Sequence, residues 1–345
     1  LKVSFLIPGD NRSGGVRVTA IMAEMLRNKG YGVRIICVQK PKRLVELKKK
    51  IERKLKGIKD VGWLFQFKGE IVHQSDLSRL TFDEGEVVVS VGTYTVEKLL
   101  ELPDYVNKLR YNHGFPAVFD DQAKRVWALD YPSITVSQTL VAGLEELSPN
   151  SVMGVVPNGI DTSQYYDLGL ERNSIGLFYS RHPNKAPDFI VRVAQAIHQK
   201  WPDINVYIVS TQSLPEGLGF VKYLQYPPVE KINEIYNRCR LWILPSDTEG
   251  LPGPVLEAQS CGTVIVTTDN DGSLEVVKHD LNGLIAPRRD LDGILEQVER
   301  AYFDEEVRVR LAAEGFQTAR DYTWAVALEK MEAVLAKFEA GGKQG

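Results

Sequence analysis

The segment Leu241–Gly262, LWILPSDTEGLPGPVLEAQSCG, admits few folds. Four apolar residues, Leu241 to Leu244, stop at Pro245, which has no N–H to extend a sheet ladder. A polar, glycine-rich loop follows, and a helix is expected to start near Pro254, ahead of Leu256, Glu257 and Ala258. Strand, loop and helix in that order are the unit of an open α/β sheet. There the strand carboxyl ends face the ligand crevice and helix N-termini attract anions, so the loop is expected to face a phosphate. Glu249 and Glu257 bracket it with seven residues between them. Carboxylates accept hydrogen bonds, so this pair suits hydroxyl groups on either side of a bound phosphate.

The same unit recurs along the chain. Lys2 to Ile7 reads as a first strand, followed by the loop PGDNRSGG, a helix with Val18, Ile21, Met22, Met25 and Leu26 on one face, a stop at Gly30 and a strand from Val33 to Val38. This is a β-α-β unit with a right-handed crossover. Gly9 and Gly14 have the spacing of a phosphate loop, but Gly15 and Val16 stand where Lys and Ser or Thr would be needed, and no G-x-G-x-x-G follows the strand. That argues against Walker-type and nicotinamide-dependent enzymes. Val87 to Val91 and Leu109 to Asn112 are expected strands, with a helix from Thr95 to Leu102 between them; the second strand ends at His113-Gly114-Phe115. Ile134 to Ser137 is a strand and Gln138 to Glu146 a helix.

After V-V-P-N-G-I-D (Val155 to Asp161) a second series opens. It runs from strand Ile175 to Tyr179 through the loop SRHPNKAP into a helix carrying Phe189, Val193, Ile197 and Trp201. Arg181 and Lys185 fall in a loop expected to face the crevice, where each is suited to charge-assisted bonds with a pyrophosphate. Strands follow at Asn205 to Ser210 and Val264 to Thr268, and helices from Leu291 and Glu305. A last helix aligns Trp324, Leu328, Met331, Leu335 and Phe338. Asp269-Asn270-Asp271 and Asp290-Leu291-Asp292 have ligand types for a divalent metal, but neither belongs with the phosphate-binding parts; both read as loops, and no metal is expected. With 345 residues, two domains are expected, 1–160 and 161–323, with the helix 324–345 joined to the first.

E-G-x-P-x-P-x-x-L-E-A followed by C-G-x-x-x-V resembles the E-x7-E signature of retaining glycosyltransferases of family 4. P-N-G-I-D, the Arg181 and Lys185 pair and the Gly272 to Pro287 run are similar to that family as well. The resemblance implies the GT-B fold: α/β, two doubly wound Rossmann-like domains facing across a cleft. It implies a nucleotide-diphosphate sugar as co-substrate, no separate cofactor, and transfer to an acceptor hydroxyl in cell-surface glycan or glycolipid synthesis. Carried over residue by residue, His113 and Glu249 sit beside the donor sugar, and Arg181 and Lys185 on its diphosphate. Glu257 holds the ribose, and Gly14, Gly15, Gly250, Leu251, Pro252, Gly253, Pro254 and Val255 approach the donor. Gly272, Ser273, Leu274 and Glu275 offer further backbone contacts, and Tyr223 to Pro228 lies near the base. Pro252 departs from the pattern and removes one N–H. A nucleotide-sugar epimerase and a non-catalytic nucleotide-sugar-binding protein share the architecture and remain alternatives.

Residues 40–59 hold ten Lys or Arg against two Glu, with Leu44, Leu47, Ile51, Leu55 and Ile58 at helical spacing, and Trp63, Phe65 and Phe67 follow. An amphipathic basic helix is expected. With the aromatics, the stretch 40–67 is suited to an anionic membrane surface and a lipid-linked acceptor; the alternative is a solvated helix whose apolar stripe faces the core. The formal charge of −3 gives no global pull toward nucleic acid. Three cysteines without C-x-x-C spacing fit buried, reduced thiols. Lys2 to Pro8 is too short for a signal-peptide core, and no eighteen apolar residues run together. A cytoplasmic enzyme, peripheral at the inner membrane face, is the resulting expectation.

Overall fold

The computed structural model describes residues 1–11, 13–39, 62–114 and 121–341. It divides into two compact units, Leu1–Pro157 with Ala327–Gly345, and Asn158–Val326. The expected basic helix at 40–59 and Phe115 lie outside the described residues. Of the three aromatics that follow, Trp63 opens a 3₁₀ turn, Trp63–Gln66, and is half-buried under Arg17, whose guanidinium sits 5.1 Å from the ring centroid. Phe67 is buried. Phe65 alone of the three is exposed, so an apolar insertion by all three is not what the fold provides.

In the first unit seven parallel strands form one sheet: β1 (Lys2–Ile7), β2 (Gly32–Cys37), β3 (Glu70–His73), β4 (Val87–Val91), β5 (Asn107–Asn112), β6 (Ser133–Thr135) and β7 (Val152–Val155), ordered β3-β2-β1-β4-β5-β6-β7. The chain leaves β1 for β2 and β3 on one side, then crosses back to β4 on the other. The strand order therefore reverses between β1 and β4, the place where open sheets bind ligands. Helices α1 (Gly14–Asn28), α2 (Asp121–Trp127) and α3 (Gln138–Leu147) cover the sheet. One core joins Leu6, Ile36, Val88, Trp127 and Leu144. Ser13 caps α1 by accepting from the Val16 N–H, and Gly30, at φ +96°, turns the chain out of it.

The expected helix from Thr95 is a 3₁₀ segment, Thr93–Glu101. The Thr95 hydroxyl donates to the carbonyls of Gly92 (2.7 Å) and Val91 (2.9 Å), a local competitor that tightens the turn.

The second unit repeats the plan with six parallel strands: β8 (Ser174–Tyr179), β9 (Asn205–Ser210), β10 (Lys222–Gln225), β11 (Cys239–Leu244), β12 (Val264–Thr268) and β13 (Leu284–Ala286), ordered β10-β9-β8-β11-β12-β13. Its helices are α4 (Pro187–Lys200), α5 (Val229–Arg238), α6 (Gly253–Ser260), α7 (Asp271–Val276), α8 (Leu291–Phe303) and α9 (Glu305–Asp321). The order reverses between β8 and β11. Asn270 and Asp290, read from sequence as loop residues, are helix caps: each side chain accepts an N–H at the start of α7 or α8, and Asp271 and Asp292 fall in the first turns, where the helix dipole favours acids. The last helix, α10 (Trp324–Gly341), passes into the first unit at Ala327. It buries Ala327, Leu328, Met331, Val334 and Leu335 there, and Lys337 Nζ bonds the Met153 carbonyl of β7 at 2.8 Å.

Gly176 on β8 lies directly beside Trp242 on β11, and a Cβ at this glycine would run into the buried indole. Gly176→Ala is therefore expected to destabilise the protein by about 1–3 kcal/mol through overpacking, seen as a lower urea midpoint. An unchanged midpoint shows that the indole has room to move.

Candidate active site

The loops after β8 and β11 meet at the reversal point of the second sheet. After β8 the chain makes a 3₁₀ turn, Pro183–Lys185, and Ala186, at φ +51° and ψ +55°, turns it into α4. The loop after β11 is laced to this turn through its backbone: the N–H groups of Asp247 and Thr248 donate to the Asn184 carbonyl at 2.9 and 3.2 Å. That lacing brings two side chains together from 64 positions apart. Lys185 Nζ lies 2.6 Å from Glu249 Oε1 and also contacts Oε2.

Glu249 is 7% exposed. A carboxylate taken out of water this far is costly unless its oxygens are paired. Here Oε1 also accepts from the Ser246 hydroxyl at 2.6 Å.

Hydroxyl and amide groups behind the loop hold it in place. Thr267 Oγ1 donates to the Leu244 carbonyl at the end of β11 (2.8 Å), and Thr268 Oγ1 to the Ser246 carbonyl. Asn270 Nδ2 also reaches that carbonyl, at 3.4 Å, while its Oδ1 accepts the Ser273 N–H at 3.0 Å. Ser246, Thr267, Thr268, Asn270 and Ser273 are all fully buried, so a missing partner among them would leave an unsatisfied polar group. Gly272 completes the fit: a Cβ there would fall 2.5 Å from the Glu249 carbonyl oxygen and 2.7 Å from its Cβ. The start of α7 thus packs directly on Glu249. Ser273 and Leu274, expected to offer their amides to the donor, have them committed to Asn270.

At the start of α6 the amide supply is also smaller than expected. Pro252 and Pro254 have no N–H, and the Val255 N–H bonds the Pro252 carbonyl at 3.1 Å. Gly253 is the other first-turn residue that has an N–H. The Leu251 carbonyl accepts from Asn158 Nδ2 at 3.0 Å. One turn into α6, Glu257 is 8% exposed and accepts from the Tyr236 hydroxyl of α5 at 3.0 Å, a contact no sequence motif marks. Arg181 is directed elsewhere: its Nη2 bonds Ser213 Oγ at 2.7 Å, in the loop after β9. The structure brings Lys185 to Glu249 and does not bring Arg181 to either.

In the first unit the equivalent reversal point gathers Gly15, Val91 and His113. A Cβ on Gly15 would lie 3.9 Å from the His113 ring and 4.0 Å from Val91, whereas one on Gly14 would meet nothing within 4 Å among the described residues. Tyr111 tilts against the imidazole, with ring centroids 4.2 Å apart. His113 Nε2 is shielded from solvent and has no hydrogen-bond partner among the described residues. Burial pushes the imidazole down from 6.5 to about 4, so the ring is neutral at pH 7.

Comparison with known proteins bears on the second unit first. Residues 173–304 match the family described as glycosyl transferases group 1. The second unit is a glycosyltransferase group 1 domain. Over 196 residues the chain is 24% identical to the N,N'-diacetylbacillosaminyl-diphospho-undecaprenol alpha-1,3-N-acetylgalactosaminyltransferase of Campylobacter jejuni, covering 51% of this chain and 52% of that one. Over 127 residues it is 35% identical to the O-antigen chain mannosyltransferase B of Escherichia coli, covering 37% and 32%. The matched regions thus span about half or less of these relatives.

Among solved structures, sucrose-phosphate synthase from Thermosynechococcus elongatus superposes with a TM-score of 0.72 at 15% identity, over 98% of this chain and 99% of that one. Anabaena HepE in complex with UDP and glucose gives 0.76, also at 15% identity, over 98% and 100%. At such identity the shared property is the fold, two Rossmann-like domains of the GT-B class.

The low pKa of His113 has a defined consequence for stability. Above pH 6.5 the ring is neutral whether folded or unfolded and contributes nothing. As pH falls from 6.5 toward 4 the unfolded state takes up a proton that the folded state refuses, so stability is lost across that window. His113→Asn is expected to flatten this part of the stability profile, and the His113 ring resonances of the parent protein to titrate near pH 4. Titration near 6.5 would place the ring in water.

Proposed function

We propose that this protein is a retaining glycosyltransferase that moves a sugar from a nucleotide-diphosphate donor to an acceptor hydroxyl. The observation that carries this reading is the Lys185–Glu249 pair, with Glu249 buried and Lys185 half-buried, at the sheet reversal of a glycosyltransferase group 1 domain just before α6. Lys185 and the Gly253 amide supply positive charge for a diphosphate as it leaves, and Arg181 joins them by exchanging its Ser213 partner for the diphosphate. Glu249, already held by Lys185 and Ser246, has carboxylate lone pairs left for a sugar hydroxyl. A fixed set of charges of this kind stabilises developing negative charge without reorganising at the moment of reaction.

Glu257 is the group for the nucleotide ribose, held in place by Tyr236. In the first unit the neutral imidazole of His113, with Gly15 beside it, is suited to a sugar hydroxyl or the reacting centre. With charge supplied by side chains, the reaction is proposed to need no metal and no separate cofactor.

The acceptor is proposed to be a glycan or a lipid-linked glycan, as the names of the Campylobacter and Escherichia relatives indicate for those proteins. Among the described residues no helix is long and apolar enough to cross a membrane. A peripheral position on an anionic surface, through the basic stretch that begins at Lys40, is part of the proposal. It is tested by co-sedimentation with anionic vesicles before and after Lys48, Lys49 and Lys50 are changed to Ser. A protein that stays in the supernatant at low salt acts on a soluble acceptor.

Incubation with a panel of nucleotide sugars and acceptors, followed by NMR of the product's anomeric proton with and without EDTA, separates the readings. Retained configuration in EDTA supports the proposal. Donor converted without acceptor indicates an epimerase, and tight binding without turnover a binding protein. Glu257→Ala is expected to weaken binding of nucleotide sugar and free nucleotide alike, because both carry the ribose. Glu249→Ala is expected to leave free-nucleotide binding nearly intact and to lower turnover by about a hundredfold or more, as the loss of a buried charged partner implies. Equal losses of free-nucleotide affinity in the two variants overturn this division.

A further inference from the structure

Arg289 lies just beyond β13, far in sequence from both site loops. It adopts φ +63°, a left-handed conformation that costs any residue with a Cβ and that glycine occupies freely. An observed outlier of this kind asks what its side chain accomplishes. The guanidinium bridges two carboxylates. Its Nε donates to Asp247 Oδ1 at 2.7 Å with Nη2 on Oδ2, and its Nη1 donates to both oxygens of Asp188 at 2.8 Å. Asp247 stands two residues before Glu249. Asp188 stands three residues after Lys185, in the first turn of α4. The guanidinium also lies 5.9 Å from the centroid of the Phe189 ring.

We propose that Arg289 is a positioning residue: it clasps the loop after β8 to the loop after β11 and so fixes the Lys185–Glu249 pair. The planar fork is the one side chain able to bond two carboxylates at once in this way; an ammonium at the same place has neither the reach nor the geometry. A lone surface ion pair contributes little, but a bidentate bridge linking two separate loops restricts their motion relative to each other. The neighbouring Arg288 anchors the clasp from behind, its N–H bonding Asp269 Oδ1 at 2.8 Å and its side chain lying 3.3 Å from the same carboxylate. The hydrogen bond from Arg289 holds the Asp188 carboxyl below its ordinary range.

The kinetic part of this inference rests on the glycosyl-transfer reading; its structural part does not. Arg289→Gly separates the two roles of the residue, since it removes the side chain while relieving the backbone. In this variant the melting temperature is expected to stay within about 2 °C of the parent. Amide exchange should quicken in the 183–188 and 246–250 segments. The kcat should fall by about tenfold, with a smaller change in KM for the donor, as a misplaced charged group implies. Arg289→Lys should not restore kcat. Asp188→Asn, which leaves the backbone untouched, should act in the same direction, and the double variant should be no slower than Arg289→Gly alone.

Unchanged exchange in both loops, or additive losses in the double variant, overturns the clasp. Should the parent protein turn over no nucleotide sugar while the exchange of both loops still quickens in Arg289→Gly, the clasp stands and the transferase reading fails.

Discussion

Burying Glu249 is the constraint on which the second unit depends. A carboxylate at 7% exposure has to be met by partners whose own positions are fixed, and each partner comes from a different part of the chain: Lys185 from the loop after β8, and Ser246 from its own loop. That loop is held in turn by Thr268 and Asn270, and pressed from behind by the start of α7 at Gly272. The polar groups at the carboxyl end of this sheet are small and fully buried. A chain with apolar residues at 267, 268 and 270 would keep its sheet and lose the means to place the pair.

Other buried charges show what a purely structural role looks like. Arg34 of β2 pairs with Glu86 at 3.0 Å, bonds Ser4 and the Thr81 carbonyl, and lies over Phe82. Arg110 of β5 donates to the Val126 and Trp127 carbonyls at the end of α2, a favourable place for a cation, and its desolvation lowers its pKa to about 10. Arg34 is closed off by protein partners at the entry end of its sheet, and Arg110 serves a helix terminus. The Lys185–Glu249 pair differs in lying at the carboxyl ends of strands where the order reverses, with Lys185 still partly exposed. Position in the sheet, more than burial, separates a site from a strut.

Much of this plan was legible in the chain because strands such as Lys2–Ile7, Val87–Val91, Asn205–Ser210 and Val264–Thr268 are short apolar runs rich in β-branched residues, and their loops carry glycine and proline. What was not legible has physical reasons. β3 is an edge strand with mostly exposed side chains, and β7 is half-buried and interrupted by Gly154, so neither presents the pattern of a buried strand. The spacing of Glu249 and Glu257 pointed to the crevice, but Tyr236 and Ser246 reach those acids through tertiary contacts that no local pattern encodes. Arg289 is the extreme case. Its turn would be read from a glycine that is not there, and its partners lie 42 and 101 positions away.

The two sheets use one topology for opposite electrostatics. At the reversal point of the first, the polar group is an imidazole kept neutral by burial, with glycine beside it and valine and tyrosine around it. At the reversal point of the second, the groups are a lysine and a carboxylate set among hydroxyls, next to a helix start. A buried charge finds a partner in the second environment and would be left unpaired in the first. A neutral sugar hydroxyl is tolerated by the first, where a shielded imidazole nitrogen lacks a partner among the described residues. Two sheets of the same strand order can therefore present different charges at their reversal points, because the sheet fixes where a ligand approaches while a few side chains fix which charge it meets.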